Sequence, residues 1–156
     1  MAAHVHHGIP ILKKSFFWDG EGEVYDTGIG VQAGHFVGDG VALGGELVAT
    51  SWWTGGRDVY SGELEGLLRI YPWPSGPVFL DGTTGFQLAN DQIPPGGTLW
   101  NFTFGFGGGV DLPVGEGTSL LLGATYHHIS NALGRENERN PSQNEARLWI
   151  GFGWTF

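Results

Sequence analysis

Apolar and polar positions alternate with a period of two over most of the chain. Between residues 24 and 37, for example, Ile29 and Val31 alternate with Gly28, Gly30 and Gln32. Successive side chains of a β-strand point to opposite faces, so this period predicts strands that have one apolar face. The runs with this pattern are Val24–Val37, Val41–Trp53, Asp58–Trp73, Pro77–Asn90, Trp100–Phe106, Leu120–Ser130 and Asn144–Phe156.

A weaker run, Ile11–Phe17, is the predicted first strand and brings the number to eight. The connections alternate in kind. Three are short, namely Gly38–Gly40, Pro74–Gly76 and Pro113–Gly117, and three are longer or more polar, namely Trp18–Glu23, Asp91–Gly97 and Asn131–Gln143. Eight strands of this kind predict an all-β fold in which residues 1–156 form one domain, an eight-stranded antiparallel up-and-down β-barrel.

Two kinds of barrel share this pattern. In a soluble lipid-binding barrel the apolar side faces inward, whereas in an outer-membrane barrel it faces lipid and the polar side fills the lumen. Alternating connection lengths and the aromatic end of the apolar face at Phe156 favour a transmembrane β-barrel of the outer membrane. The opposite face mixes acids with bases that a narrow lumen could pair: Glu46, Glu63, Glu65, Arg69, Asp81, Glu145 and Arg147.

Composition excludes several classes of function. The chain has 29 Gly and 21 aromatic residues (10 Phe, 7 Trp and 4 Tyr), a mixture that favours strands over helices. A net charge of −9 with 7 Lys and Arg disfavours nucleic-acid binding. The absence of Cys excludes disulfides and thiol chemistry, and no apolar run approaches the length of a membrane helix.

The first twenty residues lack the apolar core of a secretion signal. We expect residues 1–10 to be a disordered or remnant N-terminus. His4, His6 and His7 lie in this segment, and we expect them to be solvated rather than to bind a metal.

The candidate chemistry lies near the end of the chain. His128 and Ser130 are two residues apart, so a strand projects both from the same face, which is the apolar one. Counting back from Phe156 by twos places Asn144 on the apolar face of the last strand, while Glu145 shares the other face with Arg147.

The segment His128-Ile129-Ser130-Asn131-Ala132, followed by Asn140-Pro141-Ser142-Gln143-Asn144, resembles the outer-membrane lipid A deacylase family (PagL-like). The resemblance implies an eight-stranded barrel that hydrolyses an ester-linked acyl chain of lipid A without a cofactor or metal. It further implies that Ser130 is the nucleophile, His128 is the base and Asn131 contributes to the oxyanion hole.

The sequence departs from the family at the third catalytic position. Asn144 stands where the family has a Glu, and Glu145 follows one residue later. Alternate residues of a strand share a face, and this strand parity favours Asn144 as the residue that orients His128. Glu145 is the alternative if a bulge shifts the register. An amide can hold the imidazole in the correct tautomer but cannot stabilise the imidazolium by charge.

The resemblance therefore implies a serine carboxylic-ester hydrolase located in the bacterial outer membrane. A non-catalytic outer-membrane structural barrel is the main alternative, and a soluble lipid-binding barrel is a second. The expected partners are lipid A or lipopolysaccharide as substrate and the surrounding outer-membrane lipids, with no nucleic acid. A homodimer is left open.

Overall fold

The computed structural model describes residues 1–11, 24–73, 75–132 and 142–155, and all statements about the structure refer to these ranges. They form eight strands in chain order. The strands are β1 (Ala2–Pro10), β2 (Tyr25–Gly38), β3 (Val41–Trp53), β4 (Asp58–Ile70), β5 (Val78–Ile93), β6 (Thr98–Gly115), β7 (Thr118–Ser130) and β8 (Gln143–Trp154).

Each strand pairs antiparallel with its neighbours in sequence, and β1 pairs with β8 to close the barrel. The predicted eight-stranded antiparallel barrel is therefore confirmed. Two-residue turns at 39–40 and 116–117 lie at one end, while the last residues of β1 and β7 and the first residues of β2 and β8 lie at the other end. Within the described ranges, no helix is long and apolar enough to cross a membrane.

The apolar face of the barrel points outward and the polar face points inward. Ile29, Leu64 and Leu88 are each about 60% exposed (63%, 63% and 60%) on the outer surface. The charged residues predicted to share the opposite face are buried in the lumen, where Arg69 pairs with Asp81 at 2.8 Å. Whether a side chain points inward or outward therefore follows the period-two pattern.

The expectation for the N-terminus was wrong. Residues 2–10 are strand β1, and the predicted first strand Ile11–Phe17 lies almost wholly outside the described residues, as does the loop Trp18–Glu23. His6 is only 4% exposed inside the barrel, and the His4 side chain is similarly buried.

The local reason is the space that β2 leaves for these two imidazoles. His4 pairs with Gly30 and His6 with Gly28. A Cβ atom on Gly30 would lie 2.3 Å from the His4 ring, and one on Gly28 would lie 2.4 Å from the His6 ring. Pairing β1 with both neighbours also leaves no open sheet edge, which favours an ordered first strand.

Two strands run further than predicted. β5 continues to Ile93, so the connection to β6 is residues 94–97 rather than Asp91–Gly97. β6 continues through Pro113, where the register shifts before Gly115, and the turn is only 116–117. A shift in register lets a strand tolerate a proline that cannot donate to the ladder.

The lumen is filled by side chains in layers. A buried apolar cluster of Val24, Trp52, Val59, Ile93 and Ile129 closes the end at which β7 ends and β8 begins. A second cluster of Ala2, Phe79, Leu121 and Trp149 closes the other end. Burying Ile129 alone stabilises the fold by about 1.5–3 kcal/mol, and this residue lies between the two candidate catalytic residues at the end of β7.

Candidate active site

The outward face of β7 carries the candidate catalytic residues at its end. Tyr126, His128 and Ser130 project from this face, while His127 and Ile129 point into the lumen and are buried. His128 is only 5% exposed although it lies on the outer side, and Ser130 is half-buried. Neighbouring side chains therefore cover the imidazole.

His128 lies opposite Asn144 on β8. The distance from His128 Nδ1 to Asn144 Oδ1 is 2.7 Å, and Asn144 is 1% exposed. Because an amide oxygen only accepts hydrogen bonds, Nδ1 must carry the proton and donate it. The other ring nitrogen, Nε2, then holds the lone pair that can accept a proton.

Tyr126 is a member of the site that sequence reasoning missed. Its hydroxyl donates to Asn144 Oδ1 at 2.6 Å, so this oxygen accepts from both the phenol and the imidazole. Two donors on one oxygen fix the orientation of the amide. The available signal was the position of Tyr126 two residues before His128, which places both on one face of a strand.

Aromatic rings of β6 form a wall beside these residues. Phe102 pairs with Ser130, Phe104 with His128, and Phe106 with Tyr126 in the register of the two strands. The rings of Phe106 and Tyr126 have centroids 5.1 Å apart. This wall presents an apolar surface next to the serine.

Glu145, the alternative partner for His128, lies in a different environment. Its side chain is fully buried in the lumen, where it accepts hydrogen bonds at 2.8 Å from both His127 Nδ1 and Arg147 Nε. It pairs with His127 on β7, whereas Asn144 pairs with His128. The wall of the barrel therefore separates Glu145 from the His128 side chain.

β7 ends at Ser130, and the next two residues have irregular backbone. Asn131, the predicted oxyanion residue, is 2% exposed. Ala132 has a φ of 59°, in the left-handed region that a residue with a Cβ occupies at a cost of roughly 1–2 kcal/mol. Such strain often occurs at functional sites. Asn140 and Pro141, the other part of the sequence motif, lie outside the described residues.

The arrangement is suited to acyl transfer. A hydroxyl, an imidazole with a defined tautomer and an acceptor that orients the imidazole lie together on one outward face. The described residues that could hold a metal ion, Glu63, Glu65 and His127, are in the lumen and do not share this face.

Comparison with protein-family models matched no family, and comparison with curated proteins found no relative. Among solved structures, the chain is similar to the crystal structure of the outer membrane enzyme PagL. The two align with a TM-score of 0.67 and 15% identity, over 97% of this chain and 98% of that chain. At this identity the similarity shows a shared fold, an eight-stranded barrel like that of an outer membrane enzyme.

Proposed function

We propose that this protein is a lipid A deacylase of the bacterial outer membrane, a serine esterase that hydrolyses an ester-linked acyl chain. The observation that carries the proposal is the 2.7 Å hydrogen bond between His128 and Asn144, next to Ser130 on the outward face of the barrel. The sequence motif around Ser130 and the PagL-like fold support the same conclusion.

The outer surface supports a position in the membrane. Soluble monomers rarely expose contiguous apolar patches larger than a few hundred Å². Here Ile29, Val31, Leu47 and Leu64 are each more than half exposed on neighbouring strands. A soluble lipid-binding barrel needs an apolar interior, and this lumen instead holds buried ion pairs such as the one between Arg147 and Glu63 at 2.9 Å.

The height of Ser130 in the barrel supports a lipid substrate. Ten residues separate Leu120 from Ser130 along β7. At about 3.3 Å per residue and a tilt near 40°, they climb roughly 25 Å, which matches the apolar band of such barrels. Ser130 would then lie at the level of the lipid headgroups, where an ester joins an acyl chain to the lipid A sugar. The substrate could reach the serine from the side, within the bilayer.

The reaction follows from these positions. The Ser130 hydroxyl oxygen attacks the ester carbonyl carbon while His128 Nε2 takes its proton, and Asn131 helps to hold the oxyanion. The bond between the acyl carbon and the sugar oxygen then breaks, and the protonated imidazole gives its proton to that oxygen, which leaves as a sugar hydroxyl group. Water, activated by the same imidazole, hydrolyses the acyl-serine and releases a fatty acid.

Asn144 would act by orientation rather than by charge. Its amide oxygen holds the Nδ1 proton of His128 and so keeps Nε2 basic. It contributes no negative charge to balance the imidazolium that forms in the transition state. Deacylation should therefore be slower than with a carboxylate at this position.

Purified protein in detergent micelles, incubated with lipid A, tests the proposal. We expect release of fatty acid by the wild type and none above background by Ser130→Ala or His128→Ala. Ser119→Ala is the matched control, since Ser119 lies near the other end of the same strand and on the opposite face. Equal release by a folded Ser130→Ala variant would exclude the assignment.

A non-catalytic structural barrel is the second candidate function, and the observation that favours it is the amide of Asn144 in place of an acid. This alternative predicts no fatty-acid release by the wild type in the same assay. It also predicts that Ser130→Ala changes nothing but local packing.

A further inference from the structure

The middle of the lumen contains buried polar atoms that have no hydrogen-bond partner among the described residues. Four of them belong to residues that line one cavity of about 40 Å³. These atoms are His4 Nδ1, His6 Nε2, Glu65 Oε1 and His127 Nε2. Buried polar atoms without a hydrogen bond are costly, so a polar species in this cavity would stabilise the fold.

The described part of the lumen also has an excess of negative charge. Six buried carboxylates, Asp26, Glu46, Glu63, Glu65, Asp81 and Glu145, face two buried arginines and the side chains of His4, His6 and His127, so the acidic groups outnumber the basic ones. Arg147 contacts Asp26, Glu63 and Glu145, and Arg69 contacts Asp81. Glu65 has no arginine among its ion pairs, and its nearest basic atom is His127 Nε2 at 3.6 Å. A cation beside Glu65 would offset this charge.

We propose that the lumen binds a divalent transition-metal ion, with Zn²⁺ as the representative ion, through His127 Nε2, Glu65 Oε1 and Glu63 Oε2. One ligand atom from each residue lies within 4.8 Å of the others, and all three residues are buried. Glu63 Oε2 also accepts a hydrogen bond from Arg147 Nη1 at 2.9 Å, so its second lone pair is the one that would bind the ion. One imidazole nitrogen with two carboxylate oxygens is a donor set suited to zinc. Water from the cavity would complete the coordination.

The spacing of the donor atoms fits a metal better than it fits hydrogen bonds. His127 Nε2 lies 3.7 Å from Glu63 Oε2 and 3.6 Å from Glu65 Oε1. Both separations exceed the roughly 3.2 Å limit of a good N–H···O bond. Two ligands that are each about 2.1 Å from a tetrahedral ion lie roughly 3.4 Å apart, so a small contraction would bring these atoms into coordination.

The second nitrogen of His127 is already arranged as in zinc sites. Its Nδ1 lies 2.8 Å from Glu145 Oε1. A metal-bound histidine commonly donates its other N–H to a carboxylate, which fixes the tautomer and makes the coordinating nitrogen more basic. Glu145 would thus support a lumen metal site, and this inference does not depend on the proposed deacylase activity.

Zinc binding by the full-length protein, with any affinity tag removed, tests the inference. The chain is refolded into detergent with ZnCl₂ or with EDTA and dialysed, and bound zinc is then measured by elemental mass spectrometry. We expect one zinc per chain and a higher midpoint of urea unfolding for the zinc-loaded protein. Less than about 0.1 zinc per chain would overturn the inference and indicate water, or a protonated His127, between the two carboxylates.

Two matched variants separate the site from other zinc-binding positions. Glu65→Gln removes the charge of one ligand and keeps its shape, and we expect at least tenfold weaker zinc binding. Glu46→Gln removes the same charge from the lining of the same cavity but leaves the three ligands intact, so it should bind zinc as the wild type does. Equal affinity of the two variants would overturn the ligand assignment.

Discussion

Replacement of Asn144 by aspartate should make the proposed enzyme faster. Asn144→Asp keeps the size of the side chain and puts a carboxylate oxygen where Oδ1 now lies, 2.7 Å from His128 Nδ1. The hydroxyl of Tyr126 would still donate to the same oxygen. The change therefore adds a negative charge without removing the bond that fixes the imidazole tautomer.

The magnitude follows from the separation of the charges. A carboxylate and an imidazolium whose centres are about 4 Å apart attract by about 4 kcal/mol at an effective dielectric constant near 20. Loss of an aspartate in a Ser-His-Asp triad costs about 10⁴ in kcat, but that figure includes a wrong tautomer, which Asn144 already avoids. Burial of the introduced carboxyl group opposes its ionisation, so we expect a net gain of about 1.4–2.7 kcal/mol, or 10- to 100-fold in kcat.

Fatty-acid release from lipid A in micelles measures this gain. Gln143→Glu is the matched control, because it adds the same charge one residue away and on the inward face. We expect Asn144→Asp to be faster than the wild type and Gln143→Glu to show no gain. A folded Asn144→Asp variant that is no faster would refute the reasoning that the missing negative charge at position 144 slows the reaction.

The remaining predictions concern the neighbours of the site and the membrane. Tyr126→Phe removes one of the two donors to Asn144 Oδ1, and kcat should fall about three- to tenfold with little change in KM. Glu145→Gln should keep most of the activity, because Glu145 pairs with His127 and Arg147 and not with His128. The midpoint of urea unfolding should fall, because a buried ion pair is broken. Loss of activity in the folded variant would instead identify Glu145 as the partner of His128. The protein should need detergent for extraction from membranes and should migrate differently on gels before and after heating, and a protein that stays soluble without detergent would contradict a membrane barrel.

Most of the fold could be predicted because the strands are long and one-sided. β3 has the predicted limits, Val41–Trp53, since Gly and turn residues bound a run with one apolar face. β1 could not be predicted in this way. Its inward positions hold polar His4 and His6, and their burial depends on the space above Gly28 and Gly30, which only the long-range pairing reveals.

The sequence could predict which candidate residues share a face of a strand, but not the contacts between their side chains. Parity indicated that Asn144 lies on the face of His128, and the pairing of β7 with β8 brings these residues opposite each other. The hydroxyl of Tyr126 depends on a side-chain rotamer, which the sequence pattern does not specify. The catalytic roles of His128 and Ser130 remain predictions.

Mass spectrometry of lipid A tests the central claim most directly. Lipid A is extracted from a Gram-negative host that produces the full chain behind a functional signal peptide, and from the same host producing Ser130→Ala at an equal level in the outer membrane. The wild type should yield lipid A that is lighter by one ester-linked acyl chain, and Ser130→Ala should yield unmodified lipid A. Unmodified lipid A in both strains, or the same loss of mass in both, would contradict the claim that this chain is a deacylase that acts through Ser130.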